Sequence, residues 1–331
     1  MEVGGTNRAL VIGARGVLGA LTVRAFEADG WTVRAGSRRP KPGQIEIDLD
    51  RRDSIAAAVQ ADELVVNTVP HPDLLAERYV LERGGTLINV SDLPAAAARS
   101  LRAVAGGARG TVVMSAGLAP GVTTVVAADL LSRHADASEL EIVFTLSLKA
   151  PRGPASADFI HRGLTAVPRH RTAVVRLPSP FGERECLGFG EGDAGWLGGV
   201  AEGRIVRQYV CIAEPAMHER LLALNGAAAM ARMPRSLIEL HKQRADGANG
   251  NEAVAHWIAV IHAGRRLAAR TVECVGGSLS AARATVVFAD ALRTLPPPSG
   301  CFNPEEILTL SGVEAKLRAA GISVVSQPQP V

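Results

Sequence analysis

Arg8-Ala-Leu-Val-Ile-Gly-Ala-Arg-Gly-Val-Leu-Gly-Ala-Leu21 is the stretch from which the fold can be read. A short apolar run ends in Gly13, Gly16 and Gly19, and an apolar helical pattern follows. Each glycine has a physical task. Gly13 lets the chain turn off the strand, Gly16 lets backbone approach a pyrophosphate, and Gly19 lets the helix pack against the sheet. The helix start, with Val17 and Leu18, supplies free N–H groups and a partial positive charge. A second strand, Trp31–Ala35, follows a helix of suitable length, which gives a β-α-β unit of about 30 residues. The spacing is GxxGxxG rather than GxGxxG, and it predicts a dinucleotide-binding turn.

The end of the second strand bears on which dinucleotide. An NAD site normally places Asp or Glu there, to accept from the ribose hydroxyls. This chain reads Gly36-Ser37-Arg38-Arg39-Pro40, with no acid. Ser37 can donate a hydroxyl hydrogen bond, and Arg38, Arg39 or Arg15 can clamp a 2′-phosphate with a planar fork. The expectation is NADP(H). Arginine is abundant here: of 36 basic residues only Lys41, Lys149, Lys242 and Lys316 are lysines. Position, not frequency, therefore carries the argument.

A chain of 331 residues with 47% hydrophobic content can bury two cores. A net charge of +3 is too small to imply nucleic acid. Cys186, Cys211, Cys274 and Cys301 are widely spaced and read as reduced thiols. No apolar run reaches transmembrane length, and the N-terminus lacks a signal-peptide layout. These features predict a soluble, cytoplasmic protein that takes a small-molecule substrate, without nucleic-acid or membrane partners.

The first third alternates strand and helix. Strands are read at Gln44–Asp48, Glu63–Val69, Thr86–Val90 and Thr111–Ser115. Helices are read at Asp53–Gln60, Pro72–Arg83, Pro94–Val104 and from Val122 to about His134. Asp48 and Leu49 end the third strand, where an adenine ring lies in such folds. Six strands with intervening helices predict a Rossmann doubly wound parallel sheet over residues 1–137. From 138 to 331 the pattern changes to α+β with a mostly antiparallel sheet, and the C-terminal helices can return to the first domain. Strands are read at Glu139–Lys149, Arg169–Leu177, Glu183–Phe189 and Arg204–Ala213, and a hairpin at Val254–Val275 turning at Gly264. Helices fit Ser156–Thr165, Pro215–Leu224, Pro234–Arg244, Leu279–Arg293 and Asn303–Ala319. The long second sheet predicts a homodimer. His256 and His262 read as lying on one face of a strand, and the absence of a Cys/His cluster predicts no metal.

On Gly13–Gly19, Asn67-Thr-Val-Pro70, Val90-Ser-Asp92, Ala116-Gly-Leu-Ala-Pro-Gly-Val122 and Cys301-Phe-Asn-Pro-Glu-Glu306, the chain resembles the saccharopine dehydrogenase-like family. That family includes the saccharopine reductases and carboxynorspermidine dehydrogenases, NADP-binding oxidoreductases. The resemblance implies NADPH-dependent reduction of an imine or carbonyl on a small amino-acid-like or keto-acid substrate. It implies cofactor contacts from Asn67, Thr68, Val69 and Pro70, from Ser91 and Asp92, and from Gly117, Ala119 and Pro120. Reducing a C=N or C=O puts charge on the heteroatom, so an acid is needed. His71, Asp92 and Lys149 are candidates. His161, Arg169 and His170 form a polar cluster suited to a substrate carboxylate. Two other readings stay open: a non-catalytic NADP-binding regulator or scaffold, and a redox-neutral enzyme that keeps the cofactor fold.

Overall fold

The structure is a computed structural model, and it describes residues 7–91, 93, 95–150, 152–166, 171–190, 201, 203–225, 230, 232–236 and 251–328. The apolar run at the start is β1 (Arg8–Ile12), in which Ala9, Leu10, Val11 and Ile12 are all buried. A strand buried on both faces has no polar alternation, because helices cover each side of a parallel sheet. The elements that follow are α1 (Val17–Ala28), β2 (Thr32–Ser37), β3 (Ile45–Glu46), α2 (Arg52–Ala58) and β4 (Leu64–Asn67). After them come α3 (Leu75–Arg83), β5 (Thr86–Asn89), α4 (Ala95–Val104), β6 (Thr111–Val113) and α5 (Val122–Arg133).

Side-chain alternation divides this sheet's residues between two cores. Ala9, Val11, Val66, Ile88 and Val113 join a core with Phe26 of α1 and with α5. Leu10, Ile12, Val65, Leu87 and Val112 join a separate core with Ile55, Val80 and Leu101, from α2, α3 and α4. The strand pairs are all parallel. α3 starts three residues later than the sequence pattern suggests, because Leu74 adopts a left-handed conformation (φ 52°).

The remaining elements are β7 (Glu139–Leu146), α6 (Pro154–Thr165), β8 (Thr172–Leu177), β9 (Gly182–Gly188), β10 (Ile205–Ile212), α7 (Pro215–Leu224) and β11 (Ala253–His262). Then follow β12 (Arg265–Val275), α8 (Gly277–Thr294), β13 (Gly300–Phe302), α9 (Pro304–Ile307), α10 (Leu310–Ala319) and β14 (Ser323–Gln327). The parallel sheet runs β13-β6-β5-β4-β1-β2-β3, and a second, mostly antiparallel sheet runs β14-β12-β11-β7-β10-β9-β8. The fold class is thus a Rossmann sheet plus an α+β unit. The β11–β12 hairpin turns on Ala263 and Gly264, both at positive φ (48° and 75°), as a two-residue primed turn requires.

The second sheet turns Leu140, Ile142, Phe144, Val210, Ile258 and Val272 toward α5 and α8, and these residues share the core of the first sheet's facing side. α5 is therefore buried on nearly all sides, which explains its apolar sequence. Arg270 of β12 donates to Asp129 of α5 at 2.7 Å and ties the sheet to the helix.

Three local expectations are corrected. The sequence pattern gives six strands, and Gly300–Phe302 pairs with Thr111–Val113 as a seventh parallel strand. The helix read over Asn303–Ala319 is two helices, because Leu308 is extended and the Thr309 hydroxyl caps a new start by accepting from Gly312 N. Ser323–Gln327 adds an edge strand to β12. His256 is buried, whereas His262 is exposed at the end of β11, past a register shift between Val260 and Ile261. The expected helix over Pro234–Arg244 lies outside the described residues beyond 236. No helix among the described residues is long and apolar enough to cross a membrane. Nor is any group of three or more His, Cys, Asp or Glu side chains among them placed to hold a metal ion.

Candidate functional site

A cleft of about 610 Å³ opens where the carboxyl ends of the parallel strands face β7, β11 and the N-termini of α6 and α8. The chain runs β1-β2-β3 to one side and β4-β5-β6 to the other, so the crevice lies at the switch point.

The glycine turn forms one wall. Gly13 N and Ala14 N both donate to Gly36 O, at 2.9 and 3.0 Å, which pins the turn to β2. Gly13 has φ +88°, and a side chain there would meet Val69 and Thr68. A Cβ on Gly19 would stand 2.0 Å from Gly13 O, so this glycine sets how closely α1 approaches the turn. Gly16 precedes α1 without a side-chain cap, and Val17 and Leu18 line the cleft beside it. Uncapped first-turn N–H groups in a cleft wall suit a pyrophosphate.

At the end of β2, Ser37 lines the cleft with its hydroxyl buried and without a hydrogen-bond partner. Arg38 and Arg15 also line it. Arg39 does not; its carbonyl accepts from Arg15 Nη1 at 2.7 Å. Asp48 and Leu49 join this end, with Asp50 beside them. His71 lines the cleft here, with Nε2 3.0 Å from Asp50 Oδ1. It is thus brought to the Asp48–Asp50 end rather than to the second sheet.

Thr68, Val69 and Pro70 line the cleft, as do Ser91, Gly117, Ala119 and Pro120. The Thr68 hydroxyl donates to Ile12 O at 2.8 Å and closes β4 onto β1. Asn67 is buried behind the wall, where its amide donates to Glu77. Asp92 lies outside the described residues.

The second sheet supplies the opposite wall, and the two described candidates read there from the sequence lie off its lining. Lys149 is exposed and off the lining, its backbone N–H directed to Ser147 Oγ and Glu214. His161 is also off the lining, its Nε2 2.7 Å from Met233 O. Arg169 and His170 lie outside the described residues.

The structure instead brings Arg152, Glu252 and His256 to this wall, among Phe144, Phe159 and Val254. Arg152 is 7% exposed. Its Nη2 donates to Ser147 O and its Nε to Ala150 O at 3.3 Å, while Nη1 is buried without a partner. Burial lowers its pKa, opposed by the charges of Glu214 and Glu252. His256 Nδ1 accepts from Thr145 N at 3.2 Å, so the ring hydrogen sits on Nε2. Burial holds this imidazole neutral, with its pKa lowered to about 4. The sequence signals were slight: the polar stretch from Arg152 to His170, and a histidine within a strand.

No protein-family model and no curated protein matches the sequence. Among solved structures, the chain is similar to apo saccharopine dehydrogenase (L-Glu forming) from Saccharomyces cerevisiae. That similarity has a TM-score of 0.62 at 12% identity and covers 98% of this chain and 100% of the other. It is also similar to amine dehydrogenase from Mycobacterium smegmatis, with a TM-score of 0.51 at 12% identity over 93% and 97% of the two chains. The resemblance to saccharopine dehydrogenase read in the sequence thus holds for the architecture: the two chains share one fold over essentially their whole lengths.

Proposed function

We propose that the chain is an NADPH-dependent oxidoreductase that reduces an imine or carbonyl of a small amino-acid-like or keto-acid substrate. The observation that carries the cofactor reading is the end of β2, where the buried Ser37 hydroxyl lacks a partner and Arg38 lines the same wall. An acid there would repel a 2′-phosphate; a hydroxyl and a guanidinium attract one. The glycine turn and the start of α1 hold the pyrophosphate, Asp48 and Leu49 flank the adenine, and the loops through Thr68, Ser91 and Gly117–Pro120 run toward the nicotinamide. When bound, the reduced nicotinamide supplies a hydride.

Residues 1–137, together with the returning strand β13, form the cofactor unit in this reading. The second sheet supplies the substrate wall. Its polar groups, Arg152, Glu252 and His256, favour an enzyme over a scaffold, which needs no such wall. Architecture shared with a saccharopine dehydrogenase and an amine dehydrogenase supports the reaction class.

Fluorescence titration with NADPH and NADH tests the cofactor. NADPH is expected to bind at least tenfold more tightly, and equal affinity would overturn the NADP reading. A screen of amine and oxo-acid pairs, read as loss of NADPH absorbance, tests the reaction. No turnover across that screen would return weight to the regulator and redox-neutral readings.

A further inference from the structure

We infer that the second-sheet end of the cleft is a subsite for one carboxylate adjoining a carbonyl on an otherwise apolar molecule, an apolar 2-oxo acid. Arg152 takes the carboxylate, and Nε2–H of His256 donates to the carbonyl oxygen. The inference rests on the proposed oxidoreductase reading for its purpose, but the binding it describes can be measured without turnover.

Arg152 carries the first half. Its side chain is held on two sides by the carbonyls of Ser147 and Ala150, yet Nη1 is buried with nothing to donate to. A buried guanidinium without a counter-ion is unfavourable, and a carboxylate with two oxygens in a plane is its natural complement. The carboxylates whose charge reaches it are engaged elsewhere. Glu214 accepts from Ser147 Oγ at 2.5 Å and from Leu148 N at 3.0 Å. Glu252 accepts from Gly277 N at 2.8 Å. α6 begins two residues after Arg152, and Gly153 gives it no side-chain cap, so its first turn adds partial positive charge beside the guanidinium.

His256 carries the second half. Because Nδ1 is committed to Thr145 N, the ring presents an N–H donor at Nε2, and that hydrogen makes no bond among the described residues. The two groups are anchored on one segment. His256 is fixed to Thr145 and Arg152 to Ser147, two residues further along the same segment. Positions two apart on an extended chain are separated by roughly 7 Å. Anchors this close hold both side chains to the same end of the cleft, which both line.

The rest of this wall restricts the ligand further. Phe144, Leu146, Phe159, Ile160 and Val254 are apolar, and Arg152 is the one guanidinium or ammonium among the described residues on this wall, so a second carboxylate finds no second cation there. Glu252 would repel it. The subsite therefore takes a monoanion with an apolar body rather than a dicarboxylate.

Calorimetric titration of the NADP⁺-loaded protein with 4-methyl-2-oxopentanoate, its methyl ester and 2-oxoglutarate tests this. The free acid is expected to bind at least tenfold more tightly than either competitor. Arg152→Met should remove that advantage over the ester while leaving ester and NADPH affinities within about twofold. His256→Phe should weaken acid and ester together. Arg152→Lys, which keeps the charge, serves if the methionine variant does not fold, and should retain part of the preference for acid. No binding of the acid to wild-type protein, an ester as tight as the acid, or a tighter dicarboxylate would overturn the subsite. NADPH titration of the same sample separates the two readings. Cofactor binding without oxo-acid binding sinks the subsite alone, and oxo-acid binding to cofactor-free protein that ignores NADPH sinks the cofactor reading alone.

Discussion

Glu77 Oε1 accepts the side-chain amide of Asn67 at 2.7 Å. The same oxygen accepts the amide of Asn89 at 2.6 Å. Asn67 ends β4 and Asn89 ends β5, and each turns its own oxygen onto the loop that follows. Asn67 Oδ1 accepts from Val69 N at 3.0 Å, and Asn89 Oδ1 accepts from Ser91 N at 2.7 Å. One buried carboxylate on α3 thus orients two loops of the cleft wall. Glu77→Ala leaves two buried amides without an acceptor, at about 1–3 kcal/mol each. Urea unfolding should show a loss of roughly 3 kcal/mol, and NADPH affinity should fall several-fold as the loops relax. Glu77→Gln keeps the shared acceptor and should recover most of the affinity.

The end of β2 makes a charge-sensitive prediction. Arg38→Ala should weaken NADPH about tenfold or more, consistent with roughly 1.5–3 kcal/mol for a hydrogen bond to a charged group, and leave NADH nearly unchanged. Ser37→Asp should go further and reverse the preference, by repelling the 2′-phosphate and accepting from the ribose. Paired titrations with both cofactors decide this; equal losses for both in Arg38→Ala would mean that the guanidinium plays no part in the discrimination.

Gly19 has no room for a methyl group. Its Cβ would stand 2.0 Å from Gly13 O, a backbone atom that cannot move without opening the turn. Gly19→Ala should destabilise by about 2 kcal/mol or more, as overpacking does, and should reduce cofactor binding. Gly106→Ala meets nothing within 4 Å and serves as the control, expected within about 0.5 kcal/mol of wild type. Equal melting temperatures for the two variants would refute the close-approach account.

Glu305 predicts a pH dependence. It is 8% exposed, and burial raises its carboxyl to about 7, with Glu306 adding to the shift and hydrogen bonds from Thr124 and Asn303 opposing it. Thr124 Oγ1 lies 2.9 Å from Gly121 O and 2.5 Å from Glu305 Oε2. A hydroxyl has one hydrogen, so when it serves Gly121 the carboxyl must be protonated and donate. The folded state then holds a proton that the unfolded chain has lost between the ordinary glutamate value of 4.5 and about 7. The stabilisation is fully present below that window and is lost as pH rises through it, by about 3 kcal/mol in all. Glu305→Gln mimics the protonated acid and should remove this slope, making the variant the more stable form at pH 8. Urea titrations at pH 5 and 8 measure it, and identical pH slopes in the two proteins would rule it out.

The parallel sheet was legible because its strands are short apolar runs ending in glycine, serine or proline, and because helices cover both faces. β13 was not, since three residues carry no period and their partner β6 is far away in sequence. The break between α9 and α10 is not legible because Thr309 can sit within a helix or cap one, and only its bond to Gly312 N decides which.

The same division separates the two ends of the cleft. The sequence by itself determined the glycine-turn end, because a glycine turn, a helix start and a strand terminus are local: neighbours in the chain are neighbours in space. The structure alone decided the opposite wall. Arg152 and His256 are far apart in the chain and reach one wall because β7 pairs with β11, and their remaining donors arise from burial and from bonds that only packing can assign.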